Sequence, residues 1–125
     1  MTTTTNVFPI GSTVTLTTSI SNDSTQVNGD VVASFPGGGD VDVRLGSVIA
    51  AGTYDLVDNP FPPAGDALLT FIPISGSNYK STSGTLYITE TSTQWILEWC
   101  SINCNSLAGS TIISTSSTGS FVITK

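Results

Sequence analysis

The sequence predicts an all-β fold: a single antiparallel β-sandwich, immunoglobulin-like or jelly-roll in architecture, with about eight or nine short strands. Threonine, valine and isoleucine are abundant, and these β-branched residues pack well on a pleated sheet. Short apolar runs alternate with polar residues, and turn residues separate these runs about every 8–12 residues, as in sandwiches. No long segment combines helical periodicity with capping residues.

The length of 125 residues fits one domain with one hydrophobic core. The predicted β-sandwich domain covers residues 12–125, and residues 1–11 form a threonine-rich N-terminal arm. Residues 1–12 have neither the basic stretch nor the apolar stretch of a signal peptide, so no signal peptide is predicted.

The predicted strands begin at residues 12–20, where valine, leucine and isoleucine share one face and hydroxyl side chains share the other. The next two strands, at residues 30–35 and 40–45, are joined by the proline and glycines of residues 36–39. This Gly-rich connection predicts a hairpin loop.

The second half of the chain continues in the same way. Residues 58–66 hold three of the six prolines and predict a surface loop. Residues 75–83 predict a turn. The remaining predicted strands lie at residues 48–50, 53–57, 67–74, 85–89, 94–102, 110–114 and 121–124.

The charge balance excludes whole classes of partner. Nine acidic side chains stand against three basic ones, which gives a net charge of −6. Such a surface repels phosphate backbones, so no nucleic-acid binding is expected. Anionic membrane surfaces are disfavoured for the same reason. No apolar run approaches the roughly 20 residues of a membrane span.

Few lysines and many threonines favour an extracellular, cell-surface or virion-surface location.

The absence of histidine argues against catalysis, because histidine is the most frequent general base near neutral pH. Asp40 and Asp42 place two carboxylates on one strand face, about 7 Å apart, a separation of the order that glycosidases use. Arg44 on the same face favours a solvated strand with a charge partner instead. The protein is therefore not expected to be an enzyme.

Cys100 and Cys104 are separated by three residues. In an extended strand their Cα atoms would lie about 13 Å apart, whereas a disulfide needs about 7 Å or less. A disulfide is predicted if residues 101–103 reverse the chain, which Asn103 makes plausible. The alternative is two buried free thiols that behave as small hydrophobes.

Trp95, Leu97 and Trp99 share one face of the longest predicted strand. The favoured interpretation is a core strand whose tryptophans fill the interior. Exposed aromatic rows also anchor protein partners or stack on sugar rings. A glycan-binding face would use Trp95 and Trp99, with Tyr54 and Tyr79 from loops.

Asp55, Asp58 and Asp66 gather around the proline-rich loop. Carboxylate oxygens from one loop suit Ca²⁺, which takes six to eight oxygen ligands. Calcium is therefore a candidate cofactor, and ordinary turn chemistry of these side chains is the alternative. No other cofactor is expected.

From Gly52 onward, three segments mark successive strands: Gly52-Thr-Tyr-Asp-Leu56, Ser83-Gly-Thr-Leu-Tyr-Ile-Thr89 and Thr118-Gly-Ser-Phe121. In this respect the chain resembles small exported β-sandwich proteins of the Bacteroidetes group, many of them uncharacterised lipoproteins. The resemblance implies a β-sandwich at a cell surface and carries no catalytic residue. The lipid-attachment cysteine expected near the N-terminus is missing.

Together these features predict a non-enzymatic structural or interaction module displayed on a particle or cell surface, such as a virion coat, decoration or spike component. Its expected partners are proteins or further copies of itself, which associate through sheet edges and weakly charged faces. The alternative is a glycan-binding β-sandwich module that uses Trp95 and Trp99.

Overall fold

The computed structural model describes residues 17–23, 28–34, 39–73 and 77–124. Within these ranges the chain forms strands and turns without a helix, which confirms the all-β prediction. The predicted N-terminal arm and residues 12–16 of the first predicted strand lie outside the described residues. The described residues form nine strands, which are β1 (Thr17–Asp23), β2 (Asn28–Ser34), β3 (Asp40–Leu45), β4 (Gly52–Leu56), β5 (Asp66–Ile72), β6 (Tyr79–Ser83), β7 (Thr85–Glu90), β8 (Gln94–Ala108) and β9 (Thr111–Thr124).

Several predicted boundaries differ from the observed strands. Residues 79–83, predicted as part of a turn, form β6, and residues 48–50 are not a strand. The two short strands predicted at residues 110–114 and 121–124 are parts of β9. The hydroxyl-rich stretch between them lacks an apolar alternation, but it pairs with β8 and so remains extended.

All nine described strands belong to one mixed sheet, so a sandwich of two sheets is not confirmed. The pairs β1–β2, β2–β3 and β3–β5 are antiparallel. In contrast, β4 runs parallel to β5, with Asp55 opposite Asp66 and Leu56 opposite Ala67. The prediction of a purely antiparallel sheet is therefore wrong at this pair, because the loop of residues 57–65 returns the chain to the end at which β4 began.

The strands β6 and β7 lie end to end along one edge of β8, and β9 lies along the other edge. Gly84 separates β6 from β7 and has a φ of 121°. A Cβ atom there would lie 2.6 Å from the Cγ2 atom of Ile102. Only glycine combines this backbone angle with so close an approach to β8.

The hydrophobic core lies on one face of the sheet, here called the inner face. Trp99 is at its centre, and its ring makes edge contacts with Phe71 and Phe121 at centroid distances of 6.0 Å. The end strands β1 and β9 also approach each other without pairing. The sheet therefore curls around its inner face. The buried apolar residues are Val31, Ala33, Val41, Val43, Leu45, Ile49, Tyr54, Leu56, Ala67, Leu69, Phe71, Leu86, Ile88, Leu97, Trp99, Ile102, Cys104, Phe121 and Ile123.

A buried hydroxyl joins the strands where β4 is inserted between β5 and β7. The Oγ atom of Ser81 accepts a hydrogen bond from the Leu69 backbone N–H at 3.0 Å and donates one to the Val57 carbonyl at 3.2 Å. Because the regular ladder is interrupted here, this side chain satisfies one buried N–H group and one partly buried carbonyl group.

Candidate functional site

Trp99 belongs to the core. Its side chain is 1% exposed, and its indole N–H donates a 3.0 Å hydrogen bond to the Oγ atom of the buried Ser117. This placement matches the core interpretation of the tryptophan strand. Trp99 therefore offers no ring surface to a glycan or a protein partner.

The other three aromatic candidates do not form an exposed platform. Tyr54 is buried, and its hydroxyl donates a 2.7 Å hydrogen bond to the Ala50 carbonyl. Trp95 and Tyr79 are partly buried and pack against the core. The predicted glycan-binding set of Trp95, Trp99, Tyr54 and Tyr79 is thus directed mainly inward.

Two of the three acidic residues of the calcium prediction are neighbours in the sheet, and the third lies on the loop. Asp55 and Asp66 face each other across the β4–β5 pair, and Asp58 lies beyond the end of β4. Across the described ranges, no group of three or more acidic, cysteine or histidine side chains is placed to hold a metal ion.

The disulfide predicted between Cys100 and Cys104 is absent, and both are free thiols. The chain does not reverse at residues 101–103 because β8 continues through them. The positive φ of 52° at Ser101 marks a bulge in the pairing with β9 rather than a turn. Burial raises the pKa of the Cys104 thiol to about 12, so it stays protonated and unreactive.

Asp42 lies on the outer face of β3, in the middle of the sheet. Its Oδ1 atom is buried and has no hydrogen-bond partner. Burial raises the pKa of this carboxyl group, the neighbouring charges of Asp40 and Asp30 raise it further, and Arg44 partly opposes them. Arg44 does not bond to either member of the predicted carboxylate pair; its Nε atom binds Asp30 Oδ1 at 3.0 Å.

Arg44 also fixes the proline-rich loop of residues 57–65 on the outer face. One of its terminal nitrogens donates a 3.0 Å hydrogen bond to the Pro60 carbonyl. The next residue, Phe61, is 77% exposed, and its backbone N–H donates to the Asn59 side chain at 2.9 Å. The loop thus presents an apolar ring to solvent on a fixed backbone.

The β8–β9 hairpin extends beyond its neighbours. Its pairing with β6 reaches only Asn105, and beyond that residue β8 pairs with β9 alone. We call residues 106–113 the hairpin arm. Leu107 and Ile112 face each other across the arm and are 59% and 63% exposed. Ile113, on the opposite face, is 42% exposed.

The sequence prediction missed this arm, although a signal for it exists. Gly109 and Ser110 form a two-residue turn between two alternating stretches, and Gly109 has a φ of 66°. Glycine at the first central position is typical of a tight hairpin turn. The predicted strand ended at residue 102 and the next began at residue 110, so Gly109 lay between the two predicted strands and Ser110 lay at the start of the second.

A groove of about 550 Å³ lies beside the arm, and we call it the outer-face groove. Its floor carries Lys80 and Asn105, which face each other across β6 and β8. One wall belongs to the arm, and the opposite rim belongs to the start of the proline-rich loop. The lining residues are Asp58, Ser77, Asn78, Lys80, Asn105, Ser106, Leu107 and Ile112.

No protein-family model, curated protein or solved structure matches this chain. The described part of the chain has no helix that is long and apolar enough to cross a membrane.

Proposed function

We propose that this protein is a non-enzymatic interaction module that associates with further copies of itself through the outer edge of β9. In this proposal it is a structural component displayed on a particle or a cell surface. The observation that carries the proposal is the long edge of β9, which has a described strand on one side only.

The composition of β9 supports pairing with another chain. The strand is 14 residues long and contains no charged residue and no proline. Edge strands of soluble proteins are usually protected by lysine, proline or a covering segment, because their free N–H and C=O groups bind other strands. Within the described ranges, β1 approaches β9 over a short stretch only and does not pair with it, so most of the outer edge of β9 has no described strand beside it.

The low charge of the whole chain supports the same proposal. Three basic and nine acidic side chains in 125 residues leave a surface in which hydroxyl groups predominate. When strands from two copies with such a surface pair, few charged side chains become buried. The contact is therefore not weakened by the cost of removing charges from water. Main-chain hydrogen bonds would then supply the affinity, as in other cases of strand addition.

Light scattering on a sizing column tests the proposal with the purified chain. We expect a dimer or larger assembly whose mass falls towards that of a monomer on dilution. The variant Val122→Lys adds a charge to β9 at a site that is already solvent-accessible. We expect it to weaken association by at least about tenfold, because the ammonium group must be desolvated when strands pair.

The matched control is Thr89→Lys. Thr89, Ile96 and Val122 lie in one row across β7, β8 and β9, so the control adds the same charge on an interior strand. It should leave the assembly unchanged. A wild-type chain that stays monomeric at all concentrations contradicts the proposal, as does an equal effect of both variants.

A further inference from the structure

The outer-face groove takes only Ile112 from β9; its other lining residues lie on the proline-rich loop, on β8, and on β6 and the segment before it, and together they have the composition of a ligand site. Polar side chains converge on it from three places in the sequence: the proline-rich loop, the start of β6, and β8. Its volume of about 550 Å³ is within the usual range of small-molecule sites.

Two hydrogen-bond donors lie side by side on the floor. Lys80 is exposed, and the salt bridge on the described residues joins Arg44 to Asp30 and does not involve Lys80. The Oγ atom of Ser114 donates a 2.8 Å hydrogen bond to the Oδ1 atom of Asn105. Because the amide oxygen of Asn105 is engaged in this way, its NH₂ group remains to donate to a ligand.

The rim supplies a hydrogen-bond acceptor and two groups that can both donate and accept hydrogen bonds. Asp58 contributes a carboxylate, Asn78 an amide, and Ser77 a hydroxyl group. The negative charge of Asp58 balances the positive charge of Lys80, so the groove has no net preference for an ion. Such a lining matches a ligand whose groups both donate and accept hydrogen bonds.

One wall of the groove is apolar. Leu107 and Ile112 form a directly opposed pair, and both are more than half exposed in the free protein. The C–H surface of two adjacent aliphatic side chains can pack against the apolar face of a sugar ring. Covering it would remove exposed apolar area from water.

We propose that the outer-face groove binds a short neutral oligosaccharide. The hydroxyl groups of the oligosaccharide form hydrogen bonds with Lys80, Asn105 and Asp58. One sugar ring packs on Leu107 and Ile112. Ser114 is a positioning residue, since it acts on the ligand only through the amide of Asn105. This site uses none of the aromatic residues that the sequence singled out for glycan binding.

Two-dimensional amide NMR tests the site directly. The probes are neutral trisaccharides of glucose, galactose, mannose or N-acetylglucosamine, with trigalacturonic acid and trialanine as acidic and peptide comparisons. We expect a neutral trisaccharide to shift the side-chain amide signals of Asn78 and Asn105. Lys80→Ala and Ile112→Ser should each weaken this binding about tenfold.

Ile113→Ser is the matched control, because Ile113 is adjacent in sequence but lies on the opposite face of the arm. It should leave the affinity within about twofold of wild type. Ser114→Ala should weaken binding while leaving the fold intact. The proposal is overturned if no neutral trisaccharide shifts these signals at about 10 mM, where even a weak site fills. Stronger binding of trigalacturonic acid or trialanine also overturns it.

Discussion

Ser81 is a fully buried hydroxyl group that bonds to the backbone of both β5 and the segment after β4. Replacing it with alanine leaves the Leu69 N–H and the Val57 carbonyl without this partner. We expect Ser81→Ala to lower the free energy of unfolding by about 1–3 kcal/mol, the usual penalty for an unsatisfied buried group. Urea unfolding followed by circular dichroism measures the change.

Ser83→Ala is the control for this prediction. The Ser83 hydroxyl accepts a hydrogen bond from the Asn103 side chain at an exposed site, where water can replace it. Its loss should change stability by less than about 0.5 kcal/mol. Similar effects of the two substitutions would show that Ser81 does not join the strands in solution.

Asp42 should make stability depend on pH. Its pKa is raised in the folded state, so its destabilising effect is absent at low pH and appears as the pH rises through the folded-state pKa. Asp42→Asn should therefore stabilise the protein near pH 7 and have little effect near pH 3. The gain should be at most about 1 kcal/mol, because the carboxyl group is only half buried and solvent screens its charge.

Urea unfolding at both pH values measures this difference, with Asp30→Asn as the comparison. Asp30 accepts the hydrogen bond from Arg44, so its replacement removes a favourable contact and should give no gain at neutral pH. An Asp42→Asn variant that is less stable than wild type near pH 7 would contradict the prediction.

At the scale of the strands, Gly84 allows β6 and β7 to share one edge of β8. Gly84→Ala should reduce the free energy of unfolding by about 2–4 kcal/mol, because the methyl group meets Ile102 and the backbone angle disfavours alanine. Gly109→Ala is the matched control, since Gly109 also has a positive φ but nothing lies within 4 Å of an added Cβ. It should cost about 1–2 kcal/mol. Thermal or urea unfolding of the two variants separates the contact with Ile102 from the strain of the backbone angle. An equal loss in the free energy of unfolding for both variants would contradict the role of Ile102.

The alternation of apolar and polar residues predicted individual strands well where a strand has one buried and one accessible face. Residues 40–45 are the clearest case, since Val41, Val43 and Leu45 are buried as β3 and match the predicted boundaries. Alternation failed for β6, whose sequence YKSTS has few apolar residues. Its place depends on backbone pairing with β5 on one side and with β8 on the other, and such pairing requires no alternation of apolar residues within β6 itself.

For the whole molecule, the sequence indicated the all-β class but not how the strands combine. The parallel pairing of β4 with β5 depends on the path of the loop at residues 57–65, which composition alone does not specify.

The outer-face groove could not be predicted from the sequence for a related reason. Lys80 and Asn105 are far apart in the sequence, and only the β6–β8 register brings them together. The tryptophans of the alternative glycan prediction, Trp95 and Trp99, do not line this groove, and Trp99 is buried in the core, as the favoured interpretation predicted.

The edge-to-face cluster of Phe71, Trp99 and Phe121 has a consequence for how the protein unfolds. Its rings come from β5 in the middle of the sheet and from β8 and β9 near one end, and Val31, Val41 and Val43 of β2 and β3 belong to the same buried core. Distant parts of the curled sheet therefore share one interior. The inner face of strands β1–β3 and the inner face of strands β7–β9 each stay buried from water only while the other is in place. We therefore expect the described sheet to unfold as one cooperative unit, in which a contact at the hairpin arm also resists the opening of strands on the far side of the sheet.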